Sequence, residues 1–280
     1  MNPHFCAFSF VDRITRLEPG VGARGRYTVP AQLNGFPISL AAEAVGQLAA
    51  WAAMAAMDFE FRPVAGIAGR VHLLSPVQPG MVLELSADLK TAESDAVAYG
   101  GEVRVHGNTV VQLENCVGPM VNVRDFDDPA GVRARFDLIC SDGAVPGAFE
   151  GVPVIPLGRM GGERGRSLSA TLAVPAAAPF FLDHFPRRPV FPGTLQMQAN
   201  LELVSWLAAE LPPPPNGTAW KPRTISDVKL RTFIAPNDNL ELEAKLIELT
   251  ADSAIISVET RKQQRLTGSA RVLLKSQEVR

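Results

Sequence analysis

VHLLSPVQPGMVLELSADL, residues 71–89, returns as VKLRTFIAPNDNLELEAKL, residues 228–246, without a gap and at an offset of 228 − 71 = 157. Val71, Leu73, Pro79, Leu83, Glu84, Leu85, Ala87 and Leu89 meet Val228, Leu230, Pro236, Leu240, Glu241, Leu242, Ala244 and Leu246. In each copy a proline-led turn opens a run in which apolar residues alternate with others, as in a strand with one buried face. Eight identities at one offset are hard to obtain from two unrelated β-rich segments, so the chain is read as a duplication.

Working outward, YTVP (Tyr27–Pro30) lies over LAVP (Leu172–Pro175), now at an offset of 172 − 27 = 145. Each copy then carries a long apolar stretch that predicts a buried helix, over Ser39–Met57 and Gly193–Leu211. Strand-like runs such as VAYGGEVRV and ARVLLK follow. Each copy therefore reads as strand, long helix, then several antiparallel strands, an α+β layout in which a sheet wraps one helix. The expected organisation is a first lobe over 1–123, a connection over 124–158, acidic and rich in Pro and Gly, and a second lobe over 159–280.

The chain has 280 residues, 46% of them apolar and 20% charged, with a net charge of −2, which is a globular composition without the basic surface that nucleic-acid binding needs. Cys6, Cys116 and Cys140 form no CxxC pair and no disulfide framework, which fits a reducing, cytoplasmic setting. No signal peptide is read at MNPHFCAFSFVDR. LAAEAVGQLAAWAAMAAM (Leu40–Met57) is long and apolar enough to suggest a membrane span. Its alanine content, with Glu43 and Gln47, favours a buried core helix instead, and no membrane insertion is expected. Gly20, Gly22 and Gly25 have GxGxxG spacing but lead into strand-like RYTVP, so the dinucleotide context fails. His4, Cys6, His72 and His106 lack ligand-spaced partners, and no metal site is expected.

The chemistry concentrates in FFLDHFPRRPVFPGTLQMQANLELVSWL, Phe180–Leu207. Pro186, Pro189 and Pro192 stiffen the loop that carries His184, which suits a side chain presented in one position. Gly193 stands at the expected helix N-terminus, where free N–H groups and the helix dipole favour negative charge. The bland readings are a structural histidine and a glycine needed only for the turn. Phe180, Phe181, Phe185 and Phe191 either line an apolar pocket or pack the core, and Arg187 and Arg188 are either solvated charges or a docking point for an acidic partner.

HFPRRPVFPGTLQMQA resembles the HFPxxPVxPG signature of the β-hydroxyacyl-acyl carrier protein dehydratases, which have a hotdog fold. FVDRITRLEPG, AGIAGRVHLLSPVQPG and ISDVKLRTFIAPND extend the resemblance over most of both lobes. It implies a double hotdog, the two lobes pairing as the family's subunits do. In that family each site takes its histidine from one subunit and its Glu or Asp from the helix of the other, the acid lying fourteen residues after the histidine. Here that position, 198 − 184 = 14 residues on, holds Gln198, which cannot exchange a proton as a carboxyl does.

In the first lobe, PISLAAEAVGQLAA resembles the same helix with Glu43 at the acid position, but no HFP segment precedes it. From Val29 to Glu43 is 14 residues and from Val174 to Gln198 is 24, so the extra ten fall where the histidine loop stands. One lobe keeps the acid and the other the base. A single complete site, His184 with Glu43, is expected across the pseudo-dimer. A carboxylate in a helix apolar on every side is costly to bury charged, and a carboxyl kept neutral suits proton donation. Gln47, four residues on, would share its face and orient it.

The implied reaction is dehydration of a (3R)-hydroxyacyl thioester to the trans-2-enoyl thioester. His184 would take the α-proton, the Gly193 N–H hold the carbonyl and Glu43 protonate the leaving hydroxyl. Phe185 and Phe191 would line the acyl site. The substrate would arrive on acyl carrier protein, docked at Arg187 and Arg188, or on CoA. No cofactor is implied beyond the phosphopantetheine arm that the substrate carries. A hotdog acyl-thioesterase and a non-catalytic acyl- or carrier-binding module remain open, because fold alone does not settle function. Further homo-oligomerisation of the pseudo-dimer is also left open.

Overall fold

The structure is a computed structural model that describes residues 5–215 and 219–276; His4 lies outside the described residues. In the first half, β1 (Arg13–Glu18) and β2 (Gly22–Thr28) precede the helix α1 (Ile38–Ala56). Then come β3 (Phe61–Pro63), β4 (Ile67–Leu73), β5 (Val82–Ala92), β6 (Ala96–Val105) and β7 (Asn108–Asn122). Two helices, α2 (Val123–Phe126) and α3 (Pro129–Cys140), lead to β8 (Leu157–Gly161) and β9 (Ser167–Ala173). A 3-10 turn (Pro179–Leu182) precedes α4 (Gly193–Ala208), and β10 (Trp220–Leu230), β11 (Asn239–Leu249), β12 (Ser253–Lys262) and β13 (Arg265–Ser276) complete the chain.

Twelve of the strands form one path, β1-β2-β5-β6-β7-β4-β10-β13-β12-β11-β9-β8, with β3 paired to β7. Outward from β4 the order is β7, β6, β5, β2, β1; outward from β10 it is β13, β12, β11, β9, β8. The halves match strand for strand and join where β4 and β10 run antiparallel, with Val71 opposite Ile225. The repeated segments are the β4–β5 and β10–β11 passages. Their second strands bury alternate residues in step: Leu83, Leu85 and Ala87 in β5, Leu240, Leu242 and Ala244 in β11. Such alternation is what a pleated strand with one covered face produces.

The covering layer is the helices. α1 lies on β2, β5 and β6, α4 lies on β9, β11 and β12, and the two helices touch each other. Both begin after a proline, Pro37 and Pro192, without a side-chain cap. α1 has the length and apolarity of a membrane span, and 56% of its most apolar window is buried inside the chain. Leu40, Ala44, Val45, Leu48 and Ala52 have no solvent exposure. The helices run slightly short of their expected ends, α4 stopping at Ala208 rather than Leu211.

The region read as a bare connection is more ordered than expected. Asp128 caps α3 by accepting from the Gly131 N–H at 3.0 Å, and Pro129 follows at the first helical position, a start signal visible in DDPAG. α3 lies against β1 and turns Val132 and Arg135 toward the interior. Gly20, Gly22 and Gly25 belong to the β1–β2 hairpin. Gly20 turns it at φ +76, and a side chain at Gly22 would sit 2.6 Å from the Ala87 carbonyl oxygen.

Candidate active site

A cavity of about 220 Å³ lies between α1, the start of α4, the β4–β10 junction and the loop bearing His184. His184, Glu43, Gln47, Gly193 and Phe185 all face it. The structure thus brings together residues separated by 184 − 43 = 141 positions.

His184 Nδ1 lies 2.9 Å from the Val190 carbonyl oxygen. A carbonyl only accepts, so Nδ1 carries the proton and Nε2 keeps its lone pair. The Val190 N–H returns a bond to the His184 carbonyl at 3.0 Å, and the His184 N–H donates to Phe180 at 2.9 Å. The ring stacks on Phe185 with centroids 4.3 Å apart and meets Phe8 edge-on at 5.6 Å. Burial holds the imidazole below its ordinary pKa, the nearby Glu43 opposes this, and the Arg62 guanidinium adds to the lowering. A neutral imidazole facing a cavity is a proton acceptor.

Glu43 is half-buried, and its surround is less apolar than the sequence implies. Gln47 Nε2 donates to one carboxyl oxygen at 3.1 Å and Thr194 Oγ1 to the other at 2.9 Å. Gln47 reaches Glu43 across one helical turn, and is itself held by the Phe10 N–H and the Phe8 carbonyl. Thr194 comes from the other half of the chain. Gln198, at the corresponding place on α4, accepts from Ser39 Oγ at 3.0 Å.

Gly193 is the first residue of α4, so its N–H is one that the helix cannot itself satisfy. A Cβ there would lie 2.4 Å from Leu230 Cδ1, so glycine also lets the start of α4 pack closely on β10. Phe191 does not line this cavity. It packs in the core, 2% exposed, and borders a smaller pocket of about 40 Å³ beside Val190. Arg187 and Arg188 are exposed. Arg187 donates to the Arg124 carbonyl at 3.0 Å and pairs with Asp128 at 3.4 Å, while Arg188 lies 5.3 Å from the rings of Phe126 and Phe233.

Several lining residues escaped the sequence reading. Arg62, in β3, stacks over Phe185 at 4.1 Å and pairs with the buried Asp127 at 3.2 Å. Burial lowers its guanidinium to about 10 against the pull of Asp127. Tyr99 and Cys116 also line the cavity, and burial keeps both protonated, the thiol pushed up to about 11. Arg135 enters from α3. No motif marks these positions, because strand pairing and the docking of α3 bring them to the cavity. Asp183, beside the histidine, was visible in sequence but had no stated partner.

This architecture has known counterparts. It matches over 93% of its length a protein assigned as an oleoyl thioesterase from Lactobacillus plantarum, of which it covers 98%, with a TM-score of 0.61 and 7% identity. It also covers 98% of a MaoC-like dehydratase with 92% of its own length, at a TM-score of 0.51 and 14% identity. At such identities the likeness defines the fold alone: the chain is a hotdog-fold protein. Sequence goes further. Residues 162–269 match the family model of the ApeI-like dehydratases, described as ApeI dehydratase. The chain is 29% identical over 120 residues to the 3-hydroxyacyl-[acyl-carrier-protein] dehydratase FabZ of Shewanella sp. (strain W3-18-1), which is 41% of this chain and 77% of that enzyme. It is 32% identical over 92 residues to FabZ of Variovorax paradoxus (strain S110), 32% of this chain and 61% of that enzyme. The resemblance carried by the histidine loop is borne out, and the chain is related to the hotdog dehydratases.

Proposed function

We propose that the chain is a double hotdog that dehydrates a (3R)-3-hydroxyacyl thioester to the trans-2-enoyl thioester at one composite site. The first lobe, residues 1–123, supplies the acid and the second, residues 159–280, supplies the base. His184 Nε2 takes the α-proton. Charge that develops on the thioester oxygen is held by the Gly193 N–H at the start of α4. Glu43 delivers a proton to the C3 hydroxyl, which leaves as water while the double bond forms. The observation that carries this reading is that His184 and Glu43, from different halves, face one cavity, while Gln198 is engaged by Ser39. The dehydratase relatives support the reaction class, and acyl carrier protein is the substrate carrier we favour, with Arg187 and Arg188 at its docking point.

Hydration of a crotonyl thioester, on carrier protein and on CoA, tests the reading with wild type, His184→Ala and Glu43→Gln. General acid–base groups contribute roughly 10²–10⁴-fold, so each variant should lose activity by that order while staying folded. Survival of activity in Glu43→Gln would sink the cross-lobe pairing. Thioester hydrolysis in place of hydration would move the protein to the thioesterases. Binding of acyl carrier protein without turnover would make it a binding module.

A further inference from the structure

Residues 5–11 form part of the cavity wall and are held at two places, one beside His184 and one beside Glu43. On the base side, Asp183 is 7% exposed and accepts from the Phe5 N–H, from the Phe8 N–H at 2.7 Å and from Ser9 Oγ at 3.2 Å. On the acid side, Gln47 accepts from the Phe10 N–H at 2.8 Å and donates to the Phe8 carbonyl at 3.0 Å. The same Gln47 amide donates to Glu43. Phe5, Phe8, Ser9 and Val11 form part of the cavity wall, and the Phe8 ring rests edge-on against His184.

A buried carboxylate that receives three donors from one short segment pins that segment firmly, since each bond to a charged acceptor is stronger than a neutral one. The peptide thereby bridges two elements that meet only in the tertiary fold, the loop carrying the base and the helix carrying the acid. We propose that Asp183 is a positioning residue, which fixes residues 5–11 in the cavity wall and through them holds His184 and Glu43 in one geometry. This rests on the dehydratase reading for its catalytic consequence. The anchoring of the segment does not.

The test compares Asp183→Ala and Asp183→Asn with wild type by hydrogen exchange and by steady-state hydration of a crotonyl thioester. Asn keeps the size and one carbonyl acceptor, so it should rescue part of what Ala loses. In Asp183→Ala the amides of Phe8 and Phe10 should exchange at least tenfold faster, with α1 and α4 still protected. Misplacement of catalytic groups by about an ångström costs on the order of 10²-fold, so kcat should fall about ten- to a hundredfold with KM changed less than threefold. Combining Asp183→Ala with Phe8→Ala should cost clearly less than the product of the single losses, because both act through one segment. Unchanged exchange at residues 5–11 would overturn the anchoring. Faster exchange with kcat unaltered would overturn the positioning role. An inert wild type would overturn the proposed reaction and with it the catalytic part, leaving exchange to decide the anchoring.

Discussion

Thr194 Oγ1 donates to Glu43 at 2.9 Å, and Ser39 Oγ donates to Gln198 at 3.0 Å. The offsets 194 − 39 = 155 and 198 − 43 = 155 are equal, so the two bonds are one contact repeated by the duplication. Each joins a hydroxyl in the first turn of one helix to the acid position of the other. The two sides differ in chemistry because one acid position holds a carboxyl and the other an amide. Thr194→Ala should lower kcat about tenfold by releasing one Glu43 oxygen, a loss of roughly 1.4 kcal/mol, and Thr194→Ser should restore it. Gln198→Glu should leave turnover close to that of wild type, since no histidine among the described residues faces it. A doubled kcat in Gln198→Glu would refute the single-site arrangement.

The acid limb of the pH–rate profile should report His184. Its folded pKa lies below the ordinary 6.5, so the neutral base persists to lower pH than for a free imidazole. In the dehydration direction, where His184 acts as the base, activity should rise with pH along a limb centred below 6.5. Glu43→Gln removes the charge that opposes this lowering, so the imidazole should titrate at still lower pH in that variant. NMR of the ring protons checks it, whatever the remaining activity. For stability, the unfolded chain binds this proton first as pH falls, so His184 favours the fold above 6.5 and that contribution is lost as pH drops through the folded value.

Asp12 acts in the opposite sense. It is 9% exposed, and burial raises its carboxyl from 3.8 to about 6, although the Thr28 N–H donates to it at 2.7 Å. The folded protein keeps this proton where the unfolded chain releases it. Stability should therefore fall as pH rises from about 4 to 6, by at most about 3 kcal/mol, and stay level above that. Asp12→Asn should remove this slope in urea titrations between pH 4 and 7. An unchanged slope would count against burial as its cause.

Arg62 and Asp127 form a pair with side-chain exposures of 16% and 2%. Removing one partner of a buried pair leaves an uncompensated charge and typically costs about 3–5 kcal/mol. Arg62→Ala should reach the upper part of that range, since it also strips the cation from the Phe185 ring. The double variant with Asp127→Ala should recover part of the loss in chemical denaturation. Losses that simply add in the double variant would show that the pair is uncoupled.

The repeated strand pattern, the two long helices and the residues proposed for the chemistry were legible in the sequence. These features are local: alternation along β5 and β11, apolar content in α1 and α4, and the density of the histidine loop can each be read within some twenty residues. The split of the candidate base and acid between the two halves was legible as well, because the ten residues by which the halves differ are countable. That Thr194 reaches Glu43, that Arg62 lies over Phe185, and that residues 5–11 are held between Asp183 and Gln47 came from the folded arrangement alone. It also decided that α3 brings Arg135 to the cavity and that Phe191 does not line it. These relations depend on which strands pair and on how two helices meet. Residues as far as 175 positions apart come together through the burial of apolar faces, and the hydrogen bonds between them form only once that burial has set their distance.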